Sequence, residues 1–148
     1  YLLCRIRKAM EARDAQYTLG GIIEFDDSYF GAKIKGKAGR GAGNQGVFVA
    51  VGKDEAGRPE YLKMLITPNI QIPSVKKFVD KNLETGSVVE TDGFRSYRKP
   101  LADNYTHQAE DFSPDSEHLK WLHRIIGNAK AFINGTYHGT VPSICKCT

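Results

Sequence analysis

GGIIEFDDSYFG, residues 20–31, is the stretch on which the reading of this chain turns: an apolar β-type run ends in two adjacent aspartates and an aromatic pair. Alternation along a strand puts Ile22, Glu24 and Asp26 on one face and Ile23, Phe25 and Asp27 on the other. The two aspartates therefore point in opposite directions. Burying an anion without a partner costs several kcal/mol, and a bound cation would offset that cost. A lone Asp-Asp pair equally suits a solvated turn that closes the strand, so the flanking sequence has to decide.

On the N-terminal side, Leu2, Leu3, Ile6, Ala9 and Met10 recur at helical spacing among Arg5, Arg7, Lys8 and Glu11. The mixture of charge excludes a signal peptide, and residues 1–17 are expected to be a linker helix from a truncated N-terminal region. On the other side, AKIKGKAGRGAGNQG (residues 32–46) spaces Lys33, Lys35, Lys37 and Arg40 with glycines. It reads as a mobile hairpin connection or as an arm contacting phosphates, since glycine lets the backbone approach and the cations neutralise charge. It lacks the GxxxxGK[ST] spacing of a nucleotide-binding loop.

VFVAVG (residues 47–52) suits a strand covered on both faces, KDEAGRP (residues 53–59) a turn, and EYLKMLIT (residues 60–67) a third strand, giving an antiparallel meander. The period then changes. Val75, Phe78, Val79 and Leu83 fall at helical spacing, with Ser74 as the expected N-cap and Gly86 as the expected C-cap. SVVET (residues 87–91) is a short strand followed by Asp92-Gly93. A helix between two strands implies a right-handed crossover, and the first strand is the nearest parallel partner. That pairing would set Asp26 and Asp92 at strand ends on one edge of the sheet. Taken alone, Asp92-Gly93 reads equally as a simple turn.

Phe94 to Tyr97 begins a short turn or helix, Tyr97 being a packing residue, and Asn104 to Glu110 is a weak strand whose His107 reads as surface. Glu117 to Asn134 is the clearest helix, with a stripe of Leu119, Leu122, Ile125, Ile126, Ala129, Phe132 and Ile133 ended by Gly135. At 148 residues, with 41% hydrophobic and 26% charged residues, the chain supports one domain with a real core. A net charge of +4 is compatible with a polyanionic partner. Cys4, Cys145 and Cys147 form neither a CxxC pair nor an even set, which favours a reducing, cytoplasmic compartment.

The order of elements, a three-stranded meander, helix, strand ending in Asp, strand and long helix, is that of ribonuclease-H-like polynucleotidyl transferases. IEFDDSYFGAK, TDGFRSY and HRIIGNAKAFINGTYHG, in that order, resemble the integrase-like catalytic domain of DDE-type insertion-sequence transposases of the IS-fifteen-ninety-five group. The resemblance implies an α/β fold over residues 18–139, a mixed five-stranded sheet flanked by helices. It also implies cleavage and strand transfer of DNA with Mg²⁺ or Mn²⁺. The expected partners are insertion-sequence terminal repeats, target DNA and further copies of the chain in a synaptic complex at the bacterial nucleoid.

By the same resemblance Asp26, the first of the acid pair, and Asp92 are the metal-binding catalytic residues. The third acid of the family has no counterpart here, because no Glu follows Glu117 on the helix. Family members with Glu carry a Lys seven residues beyond it, and Lys130 stands in that relation to His123. That register favours His123 as third catalytic and metal-binding residue. Asn128 is the alternative, because some members have Asn in place of Glu. The two are about 140° apart around a helix, so one metal site cannot use both. Lys130 is expected on a DNA phosphate together with Lys33, Lys35, Lys37 and Arg40, and Arg95, Arg98 and Lys99 extend the basic track. Residues 140–148, TVPSICKCT, depart from the family and suggest a frame-shifted ending. The competing reading is therefore a remnant that binds nucleic acid without catalysis.

Overall fold

The structure is a computed structural model that describes residues 1–31, 45–110 and 117–137. In chain order the elements are α1 (Leu2–Asp14), β1 (Ile22–Phe30), β2 (Gln45–Lys53), β3 (Pro59–Thr67), α2 (Ile72–Asn82), β4 (Val88–Thr91), α3 (Arg95–Leu101), β5 (Thr106–Ala109) and α4 (Lys120–Tyr137). The strands form one sheet in the order β3-β2-β1-β4-β5. The meander is antiparallel, β4 runs parallel to β1, and β5 runs parallel to β4, as the crossover rule requires. This is the mixed five-stranded α/β sheet expected from the sequence.

The sheet is covered on both faces, which explains the unbroken apolar run of β2. On one face Phe25, Phe48, Val75, Phe78, Val79, Val89, Tyr97 and Leu101 form a core with α2 and α3. Its centre is aromatic, with Phe25 within 5.7 Å, ring centre to ring centre, of each of Phe48, Phe78 and Tyr97. On the other face α4 lays Leu122 and Ile126, with the preceding Leu119, over Val47, Val49 and Val51. Alternate residues of β2 thus serve alternate cores.

Several expected boundaries move. Ser74 is not an N-cap: α2 begins earlier, behind Gln71, with Pro in its first turn, and the Ser74 hydroxyl donates to Asn69 Oδ1 at 2.8 Å. Gly86 is not its C-cap either, because the helix ends before an extended Leu83, and Gly86 turns the chain toward β4 with φ +88°. The last helix starts later than expected, since Leu119 has φ +55° and cannot continue a helix, and it runs through Gly135 to Tyr137. The apolar stripe is covered at its N-terminal end only; Phe132 is 64% exposed. Phe94 to Tyr97 opens into a seven-residue helix, α3, in which Tyr97 is buried.

The first strand does not close at the aspartates. It continues to Phe30, because Asp26 to Phe30 keep pairing with β2 from Val49 to Gln45. Helix α1 forms as its spacing suggests but has no buried residue. These packing differences set a contrast in stability. Phe25→Ala should destabilise the domain by about 3–5 kcal/mol, whereas Met10→Ser should change it by less than about 0.5 kcal/mol, both measured by urea unfolding.

Candidate active site

Strand β4 is short. It pairs with β1 only from Ile22↔Val88 to Glu24↔Glu90, and it ends at Thr91. Extending that register by two residues sets Asp26 level with Asp92. There Gly93, at φ +78°, turns the chain away, a conformation that costs glycine little. Asp26 is thus at mid-strand, at the point where β1 loses its parallel neighbour, rather than at a strand end. Asp92 closes its own turn by accepting the Phe94 N–H at 3.0 Å.

The alternation of β1 separates the aspartates as expected. Asp26 shares its face with Glu24 and turns toward α4, where His123 Nε2 is 3.9 Å from Asp26 Oδ2. Asp27 turns toward the aromatic core and accepts a short hydrogen bond from the Tyr97 hydroxyl, which also reaches Asp26 Oδ1 at 3.4 Å. Asp26 Oδ1 accepts the Asp27 N–H at 2.7 Å. Burial and the facing charge of Asp92 nevertheless push the Asp26 carboxyl up to about 7. The extended register accounts for that influence, since it sets the two acids level on neighbouring segments. Tyr97 is held protonated, far above its ordinary range, first by burial and then by Asp27 and Asp26.

His123 is exposed, as is Asn128. Only His123 lies against Asp26; Asn128 is about 140° further round α4. Lys130 is half-buried, on the His123 side of the helix, with its ammonium 5.7 Å from the centre of the Phe30 ring at the end of β1. Lys33, Lys35, Lys37 and Arg40 lie outside the described residues.

Two histidines that sequence reasoning treated as surface, or passed over, buttress the end of β4. His107 is half-buried, not on the surface, and its Nε2 is 2.8 Å from Thr91 Oγ1. That oxygen accepts the Gly93 N–H, so the hydroxyl is left to donate to His107. Burial, then Arg98, lowers the His107 pKa, which keeps the ring neutral for that role. His118 Nε2 donates to the Thr91 carbonyl at 2.8 Å. Neither contact is legible from spacing, since each spans elements whose packing had to be seen.

Glu24 was also missed as a candidate, although the alternation put it on the Asp26 face. Its carboxylate is buried, accepts the Leu122 N–H at 2.7 Å and lies 3.5 Å from Lys53 Nζ. Lys53 bonds Glu90 at 2.7 Å.

A scan against family models matches the ISXO2-like transposase domain over residues 18–144. The chain belongs to that family. No match is found among the curated proteins. Membership makes this a transposase-related domain of the DDE kind, a family of polynucleotidyl transferases that act on DNA and use divalent metal. Among the described residues no helix of this transposase domain is long and apolar enough to cross a membrane.

The donor chemistry fits a hard divalent cation in part. A buried carboxyl raised by the charge of a second one favours a nearby cation, and Mg²⁺ accepts a few carboxylates while keeping water ligands. Among the described residues, however, no three His, Cys, Asp or Glu side chains are gathered closely enough to hold a metal ion. Solvent and substrate oxygens would have to complete the shell.

The raised pKa of Asp26 has a stability consequence. Its folded value, about 7, lies above its ordinary value of 3.8, so the folded protein binds the extra proton and loses stability as pH rises between those values. Asp26→Asn should therefore stabilise the metal-free domain at pH 8, by on the order of 2–4 kcal/mol, and little at pH 4. Urea unfolding at both pH values in chelator checks this; equal effects at both would refute the assigned cause.

Proposed function

We propose that this domain is the catalytic core of an insertion-sequence transposase, cutting and rejoining phosphodiester bonds at the ends of the element. The observation that supports it best is the register that sets Asp92, just beyond β4, level with Asp26 of β1, whose carboxylate lies 3.9 Å from His123 of α4. Asp26, Asp92 and His123 would hold Mg²⁺ or Mn²⁺, with Asn128 the alternative to His123. A cation held by these residues would supply a lowered pKa for an attacking water or hydroxyl and positive charge for the phosphate.

The protein's own groups have definable tasks in this reading. Asp26 and Asp92 supply hard oxygens from a rigid sheet, so little ordering remains to be done when DNA arrives. Tyr97, a phenol that stays protonated, donates to Asp27 and reaches Asp26, which steadies the acid pair of β1. His123, an imidazole, is a weaker ligand than Glu for Mg²⁺, so the site leans on its two aspartates. Lys130 contacts a phosphate next to the scissile bond, and Lys33, Lys35, Lys37 and Arg40 follow the backbone further out. DNA ends and target DNA are the partners, with further copies of the chain in the assembled complex.

A second reading, a module that binds DNA without cutting it, draws support from the lack of a three-ligand cluster among the described residues. Plasmid nicking in Mg²⁺ and in Mn²⁺ separates the two. The parent should nick, and Asp26→Asn and Asp92→Asn should each lose about a hundredfold or more while retaining DNA binding. His123→Ala should lose more than Asn128→Ala. Binding without nicking by the parent would favour the second reading, and aspartate variants as active as the parent would sink the first.

A further inference from the structure

The third member of the proposed site is carried by a helix that reaches β1 from the far end of the chain, so something must set how far α4 extends along that strand. Apolar packing of Leu119, Leu122 and Ile126 on Val47, Val49 and Val51 supplies attraction but little direction. A slip of one residue along α4 would move its side chains by about 1.5 Å and rotate them by about 100°. His123 would then leave Asp26. The apolar contacts alone do not forbid such a slip.

Glu24 does. It is 1% exposed, on the same face of β1 as Asp26 and two residues before it. Its Oε2 accepts the N–H of Leu122, the third residue of α4 and the one immediately before His123. Leu122 N–H belongs to the first turn, which has no carbonyl partner inside the helix and carries the positive end of its dipole. A carboxylate there makes a short, directional, charge-assisted bond. Lys53, 3.5 Å from Glu24 Oε1, limits the cost of burying that charge. Leu119, at φ +55°, is the one non-glycine residue with positive φ among the described residues, and it lies next to the start of this helix. The chain accepts strain at the point where α4 is seated.

We propose that Glu24 is a positioning residue, whose carboxylate fixes the register of α4 on β1 and thereby places His123 beside Asp26. The inference rests on the reading above, in which His123 serves the site. It assigns no contact between Glu24 and DNA or metal.

The test combines nicking with a structural readout on the full chain. Glu24→Gln keeps an oxygen for the Leu122 N–H and should retain most of the parental rate. Glu24→Leu should lose about 10–100-fold with unchanged DNA affinity. In a His123→Ala background the Leu substitution should add less than about twofold, because the residue it positions has gone. If the Leu variant does not fold, Glu24→Asp, which keeps the charge but shortens the reach, takes its place. Parental nicking by that variant, or losses that multiply in the double variant, would overturn the proposal. Nuclear Overhauser contacts between the His123 ring and Asp26 supply the arm that needs no activity. They should persist in Glu24→Gln and vanish in the Leu or Asp variant. If the parent fails to nick but those contacts vanish as described, the catalytic reading fails and the positioning role stands; contacts that persist overturn the positioning role itself.

Discussion

The buried carboxylate of Glu24 ties the last helix to a pair of strands whose own spacing the sheet ladder sets. It stands on the central strand, caps the first turn of the last helix and faces a lysine at the end of β2. An anion 1% exposed to solvent survives only because each of those partners is in place. The converse also holds. Lys53 is shared with Glu90 of β4, so the same small network joins β1, β2, β4 and α4 across one face of the sheet. Hydrophobic contacts make that face cohere, and the ion network makes its geometry single-valued.

The adjoining site has the opposite character. Asp26 and Asp92 are set level by a parallel pairing that stops two residues short of them, and burial together with the charge of Asp92 raises the Asp26 carboxyl despite its bonds to the Asp27 N–H and the Tyr97 hydroxyl. The Tyr97 hydroxyl reaches Asp27 and Asp26 but contributes no charge. On one face of β1, then, stand a buried carboxylate held by a helix N–H and a lysine and, two residues on, one whose pKa burial raises. Membership of the ISXO2-like transposase family gives that contrast a setting, since the family uses divalent metal.

Much of this was legible in the sequence, and the reasons are specific. Strand alternation assigned Glu24 and Asp26 to one face, helical spacing found α2 and α4, and the crossover rule paired β4 with β1. Those rules depend on short periods that a few residues can display. What escaped were interactions across elements: the Glu24 bond to Leu122, the His118 bond to Thr91 and the partly buried His107. Spacing could not place these, because their partners lie far away in the sequence. Element ends escaped for a related reason. A polar residue such as Ser74 resembles a cap in one dimension, but its hydroxyl was claimed by Asn69. Gly135 resembles a stop, yet a single glycine costs a helix only about 1 kcal/mol.

The parallel pairing of β1 with β4 carries one more implication, for the history of the molecule rather than its finished form. Neighbours in the centre of the sheet come from opposite sides of a hairpin and a crossover helix, and α4 joins them later still in the chain. Closing such long loops is slow compared with forming a local hairpin. While a ribosome is still making the polypeptide, the meander can form on its own, but the acids at residues 26 and 92 have yet to meet. Only after α4 has emerged can His123 come to rest beside Asp26, so that contact is among the last this domain acquires.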